Sequence, residues 1–73
     1  MDRLDLRGLS CPLPVVNTKR ELKKLARGES LEVVVDTGTS RDNVTRMATK
    51  EGCEVEVRET EEGHFVLTIT RVK

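Results

Sequence analysis

The chain has 73 residues, and its 13 basic and 13 acidic side chains cancel to a net charge of zero. A chain this short forms one domain, residues 1–73, with a thin core, because it buries only ~60% of the surface its unfolded form exposes. Zero net charge and a single aromatic residue, Phe65, count against direct nucleic-acid binding, which draws on positive charge and aromatic stacking platforms. No apolar stretch reaches the ~20 residues of a membrane-spanning helix, and no signal peptide precedes the patterned residues, so no membrane contact and a cytoplasmic location are expected.

Leu4 and Leu6 alternate with Asp5 and Arg7, the period of a short half-buried strand, and Gly8, Leu9 and Ser10 turn the chain after it. Pro12 marks a helix start, since its missing N–H would have no partner at the first helical position. Cys11 is therefore expected at the N-cap. Val15, Thr18, Leu22, Leu25 and Ala26 share one face at helical spacing, and Gly28 supplies a stop, which predicts a first helix running to about Arg27. Lys19, Arg20, Lys23, Lys24 and Arg27 fill a neighbouring arc interrupted only by Val16, so this helix is strongly basic.

Leu31, Val33 and Val35 alternate with Glu32 and Val34 in a second strand ending at Asp36, and residues 37–40 form a loop. Ser40 is the expected N-cap of a second helix, with Asp42 in its first turn, Val44, Met47 and Ala48 inward, and Gly52 as its stop. Val55 and Val57 mark a third strand. A turn at residues 61–63 leads into a fourth, whose inward residues are Phe65, Leu67 and Ile69. The order βαβαββ predicts an α/β (α+β) two-layer sandwich, with a mixed four-stranded sheet and both helices on one face. Loops after the first two strands then open at the same sheet edge, which makes Cys11 a neighbour of residues 36–40.

A thiolate at a helix N-cap faces the positive end of the macrodipole and the unpaired donors of the first turn, and both favour the charged form. Pro12 and Pro14 remove two of those donors, so the pKa depression is moderate, which suits a nucleophile working near neutral pH. Cys53, directly after a helix stop, reads as a small apolar residue near the core. His64 has the parity of Val66 and Thr68, on the uncovered sheet face, and reads as a surface histidine. One histidine and two distant cysteines offer no structural zinc site, and no metal or cofactor is expected.

The run Leu6-Arg7-Gly8-Leu9-Ser10-Cys11-Pro12-Leu13-Pro14 resembles the RGLxCPxP signature of the TusA/SirA/YedF family of small sulfur-carrier proteins, and the helix and βαββ remainder extend the likeness over nearly the whole chain. Residues 36–46 and 51–55 look most like the YedF branch. The resemblance implies that Cys11 accepts a sulfane sulfur as a persulfide and relays it, with Arg7, Gly8, Pro12, Leu13 and Pro14 as its supporting motif. The implied donor is a cysteine desulfurase or a rhodanese-type sulfurtransferase. The implied acceptor is a DsrE-like or other sulfur-accepting protein, in sulfur or selenium metabolism. Leu13 stands where members serving tRNA 2-thiouridine synthesis typically carry glutamate, which argues against that pathway.

The basic arc of Lys19, Arg20, Lys23, Lys24 and Arg27 lies beside the Cys11 end and suits an acidic partner. A competing reading makes the chain a non-catalytic module whose basic first helix contacts RNA or a regulatory protein. Persulfide loading distinguishes the two.

Overall fold

The computed structural model of the chain describes residues 2–9 and 13–72. Its elements run β1 (Asp2–Asp5), α1 (Leu13–Leu22), β2 (Ser30–Val35), α2 (Gly38–Lys50), β3 (Cys53–Glu59) and β4 (Phe65–Arg71). Strand order across the sheet is β1-β2-β4-β3, with β1 parallel to β2 and β4 antiparallel to both its neighbours. The fourth strand is thus inserted between the second and third, which run parallel without touching. Both helices cover one face, giving the expected two-layer α+β sandwich. Among the described residues, no helix is long and apolar enough to cross a membrane.

Alternation in the strands builds the core. Leu31, Val33 and Val35 of β2 face Ile69, Leu67 and Phe65 of β4 in register, and Leu22, Val44 and Ala48 close over them from the helices. Val34 has the opposite parity, yet it is buried, as is its β4 partner Val66. Charged side chains at the end of the sheet shield this pair, as described below.

Three local expectations are corrected. The first helix ends at Leu22 rather than near Arg27. Lys24 and Leu25 donate to carbonyls three residues back, at 3.1 Å each, which tightens the last turn. The Leu22 carbonyl is then taken by the Arg71 guanidinium at 2.9 Å. Glu29 Oε1 accepts the Ala26 N–H, while Gly28 and Glu29 pair with the backbone of Arg71. The end of β4 therefore draws the chain off the helix axis, leaving Ala26 exposed and Lys23, Lys24 and Arg27 beyond the helix.

The second helix is capped by Thr37 rather than Ser40. Thr37 is extended (φ −131°, ψ 151°), and its Oγ1 accepts the Ser40 N–H at 3.1 Å. Ser40 is carried into the buried side of the first turn. With the helix starting at Gly38, Asp42 lies past the first turn and cannot act on its open N–H groups.

Candidate functional site

Ser10, Cys11 and Pro12, and with them the expected N-cap at Cys11, lie outside the described residues. What the structure defines is the approach to that segment. At the end of β1, the Asp5 carboxylate accepts the Arg7 backbone N–H at 3.1 Å and both prongs of its guanidinium, at 2.9 and 2.7 Å. The side-chain hydrogen bond from Arg7, then the backbone one, lower the Asp5 pKa to about 2. The same pairing raises the Arg7 pKa.

A carboxyl group held below its ordinary value of 3.8 stabilises the fold above that pH, and the contribution is lost as pH falls through about 2. The Asp5 side-chain carboxyl resonance should accordingly titrate near 2 in the parent, and Arg7→Gln should return the midpoint towards 3.8. An unchanged midpoint in the variant would show that the fork does not form in solution.

Beyond the fork, Leu6 N–H donates to the Val34 carbonyl at 2.8 Å, continuing the parallel pairing, and the Leu6 side chain enters the core. Gly8 then turns the chain at φ +81°, a conformation that glycine alone adopts without strain. Its N–H donates to Asp36 Oδ2 at 2.9 Å. Asp36 directly follows β2, so this bond joins the loop after β1 to the loop after β2, as the shared sheet edge predicts. The contact established is Gly8 with Asp36, three residues ahead of Cys11 in the chain.

In the first turn of α1, Pro14 is buried, and its carbonyl accepts the Thr18 hydroxyl at 2.7 Å. Leu13 and Val16 remain 48% and 44% exposed, an apolar pair on the solvent side of α1. Lys19 and Arg20 occupy the last turn of α1, exposed. Lys23, Lys24 and Arg27 are also exposed but follow the helix, and Lys24 pairs with Glu21 at 3.2 Å. The five predicted cations thus do not form one helical arc.

Sequence reasoning missed the second helix's contribution. A groove of ≈ 460 Å³ between α1 and α2 contains Val15 and Met47 as its apolar residues and takes Lys19, Arg46 and Lys50 as cations. Arg46 and Lys50, four residues apart on one helix face, were the available signal. Glu51 also lines the groove.

His64 lies on the uncovered sheet face, as its parity predicts, but is half-buried rather than a surface residue. With Arg3, Arg7, Thr60 and Glu62 it borders a ≈ 210 Å³ concavity that also includes Val34 and Val66. Arg3 pairs across β1 and β2 with Glu32 at 3.1 Å. Cys53 is buried, and burial pushes its thiol pKa up, away from nucleophilic chemistry at neutral pH. Among the described residues, no group of three His, Cys, Asp or Glu is placed to hold a metal ion.

Residues 2–71 match the protein family described as "Sulfurtransferase TusA". The chain is 39% identical over 71 residues to "Putative sulfur carrier protein MJ0990" of Methanocaldococcus jannaschii, which covers 97% of this chain and 95% of that one. Over 50 residues it is 42% identical to "Putative sulfur carrier protein YedF" of Escherichia coli, covering 68% of this chain and 65% of that one. The crystal structure of a SirA-like protein from Desulfitobacterium hafniense shares the fold at a TM-score of 0.91 and 34% identity, with 100% of each chain covered.

Proposed function

Since the chain belongs to the TusA family of sulfur carriers, we propose that it receives a sulfane sulfur on Cys11 as a persulfide and hands it to an acceptor protein. The observation that carries this reading is the run from Arg7 to Pro14, which sets a thiol before Pro12 at the opening of a helix. The Cys11 thiolate attacks the outer sulfur of the donor's persulfide. One S–S bond forms, one breaks, the donor leaves as a thiolate, and no net oxidation occurs. In the second step an acceptor thiolate attacks the outer sulfur on Cys11 and frees Cys11 in its turn.

Arg7, Gly8 and Asp36 support this chemistry from upstream: the Arg7–Asp5 fork and the Gly8–Asp36 bond limit the paths by which the chain can enter the Cys11 segment. Pro12, Leu13 and Pro14 support it from downstream. Lys19, with Arg46 and Lys50, offers an acidic partner a charged rim around apolar Val15 and Met47. Arg20, Lys23, Lys24 and Arg27 extend the same positive field. The donor is a cysteine desulfurase or a rhodanese-type protein, and the acceptor is DsrE-like or another sulfur-accepting protein. A reducing cytoplasm keeps Cys11 available between cycles.

Intact-mass measurement after incubation with a cysteine desulfurase and cysteine tests the assignment. The parent and Cys53→Ser should each gain one sulfur atom that reductant removes, while Cys11→Ser should gain none. Equal loading of the two variants would overturn it. So would a parent that stays unloaded.

A further inference from the structure

β3 forms one edge of the sheet, and its outer side has no partner strand among the described residues. Two hydrogen bonds flanking the strand set the phase of its backbone: Val72 N–H donates to the Gly52 carbonyl at 3.4 Å, and Thr60 N–H to the His64 carbonyl at 2.8 Å. Successive residues of an antiparallel strand turn their N–H and C=O groups to alternate sides. Glu54, Glu56 and Arg58, in phase with Gly52 and Thr60, therefore point their backbone groups at β4. Val55, Val57 and Glu59 point theirs outward. Side chains follow the same alternation, with Val55 and Val57 on the helix side, opposite Ile69 and Leu67, and Glu54, Glu56 and Arg58 on the open side. Val57 is left 41% exposed.

We propose that this edge pairs with the β3 edge of a second copy of the chain, antiparallel about a two-fold axis at Val57. In that register the outward backbone groups of Val55, Val57 and Glu59 meet those of Glu59, Val57 and Val55, so hydrogen-bonding groups face each other along the strand. Val57 covers Val57. On the open side Glu56 stands opposite Arg58 in both directions, in the non-hydrogen-bonded pairs where facing side chains lie closest.

Neighbouring registers are disfavoured by charge. An axis at Glu56 brings Glu54 opposite Arg58 twice but also sets Glu56 against itself, an axis at Val55 sets Glu54 against Glu56, and an axis at Arg58 sets Arg58 against itself; the axis at Val57 alone has two opposite-charge pairs and no like pair. Like charges directly opposite are destabilising. Edge strands are commonly protected from association by charge, but here the signs alternate in a way that complements a second copy. Zero net charge removes long-range repulsion between the two.

The contact is short, so the dimer is weak, of the class below ~1,000 Å² whose dissociation constants reach the micromolar to millimolar range. It does not use α1 or Cys11, and its test is independent of sulfur loading. Sedimentation equilibrium from about 10 µM to 1 mM spans that affinity range. The parent should show concentration-dependent dimerisation. Glu56→Arg should weaken it at least tenfold, and the swap Glu56→Arg with Arg58→Glu should restore it to within a few-fold of the parent. Val57→Pro should abolish it, because the N–H removed points away from β4 and proline is tolerated at such an edge position. If that variant fails to fold, the charge variants decide alone. A parent that stays monomeric at the highest concentration, or a dimer indifferent to Glu56→Arg, would overturn the proposal.

Discussion

Leu67→Ala should lower the unfolding free energy by about 2–5 kcal/mol, the range for removing a fully buried leucine side chain. Leu67 is 0% exposed on β4, a strand flanked on both sides, and is in register with Val33 of β2 and Val57 of β3. For a domain of this size, whose total stability is roughly 4–11 kcal/mol, the loss is a large fraction of the whole. It corresponds to a fall in Tm on the order of 10–30 °C. Its register partner Val57 points to the same side but sits on the edge strand, so Val57→Ala should cost about 1 kcal/mol or less. Thermal or urea unfolding of the two variants checks the contrast. Equal losses would show that the β3 edge is packed as tightly as the centre of the sheet.

Reversing the groove cations, with Lys19→Glu, Arg46→Glu and Lys50→Glu together, should slow sulfur loading from an acidic-surfaced donor about 10–100-fold at low ionic strength. Clustered charge acts on the rate of encounter, and salt screens it over about 8 Å at physiological strength. The parent and variant rates should therefore converge as salt is raised. The matching triple reversal at Lys23, Lys24 and Arg27 should have a smaller effect. Those residues follow the helix rather than lining the groove, and Lys24 is already paired with Glu21. Loading rates for the two triple variants, measured against salt, separate a docking rim from a merely solvated surface. Unchanged loading of the first variant at low salt would reduce the groove to an ordinary helix–helix crevice.

The order of elements, the inward residues of the strands and the motif running from Arg7 to Pro14 were legible in the chain itself. Each depends on a period or a local backbone preference: alternation in strands, spacing of 3.6 in helices, and proline at a helix start. Cys53 was likewise legible as a small core residue, because the glycine before it ends a helix that must pack on the sheet. The end of α1 was not. Val15 to Ala26 carry an unbroken helical pattern, but the Leu22 carbonyl is claimed by Arg71, 49 residues away along the chain. Local preference is worth tenths of a kcal/mol per residue, and a tertiary hydrogen bond to a charged group outweighs it.

The same distinction runs through the candidate site. Arg7 and Gly8 announced themselves by motif, but their partners did not: the Gly8 N–H finds Asp36 only because β1 and β2 lie side by side and parallel. The choice of Thr37 over Ser40 as the cap of α2 follows from where β2 releases the chain. Lys19 joins Arg46 and Lys50 because α1 packs against α2, and sequence spacing within one helix carries no information about the facing one. Charge balance was readable as a sum of zero. Its distribution around the helix pair was settled by packing, because burying the apolar faces of α1 and α2 on one side of the sheet leaves their cations together at its surface.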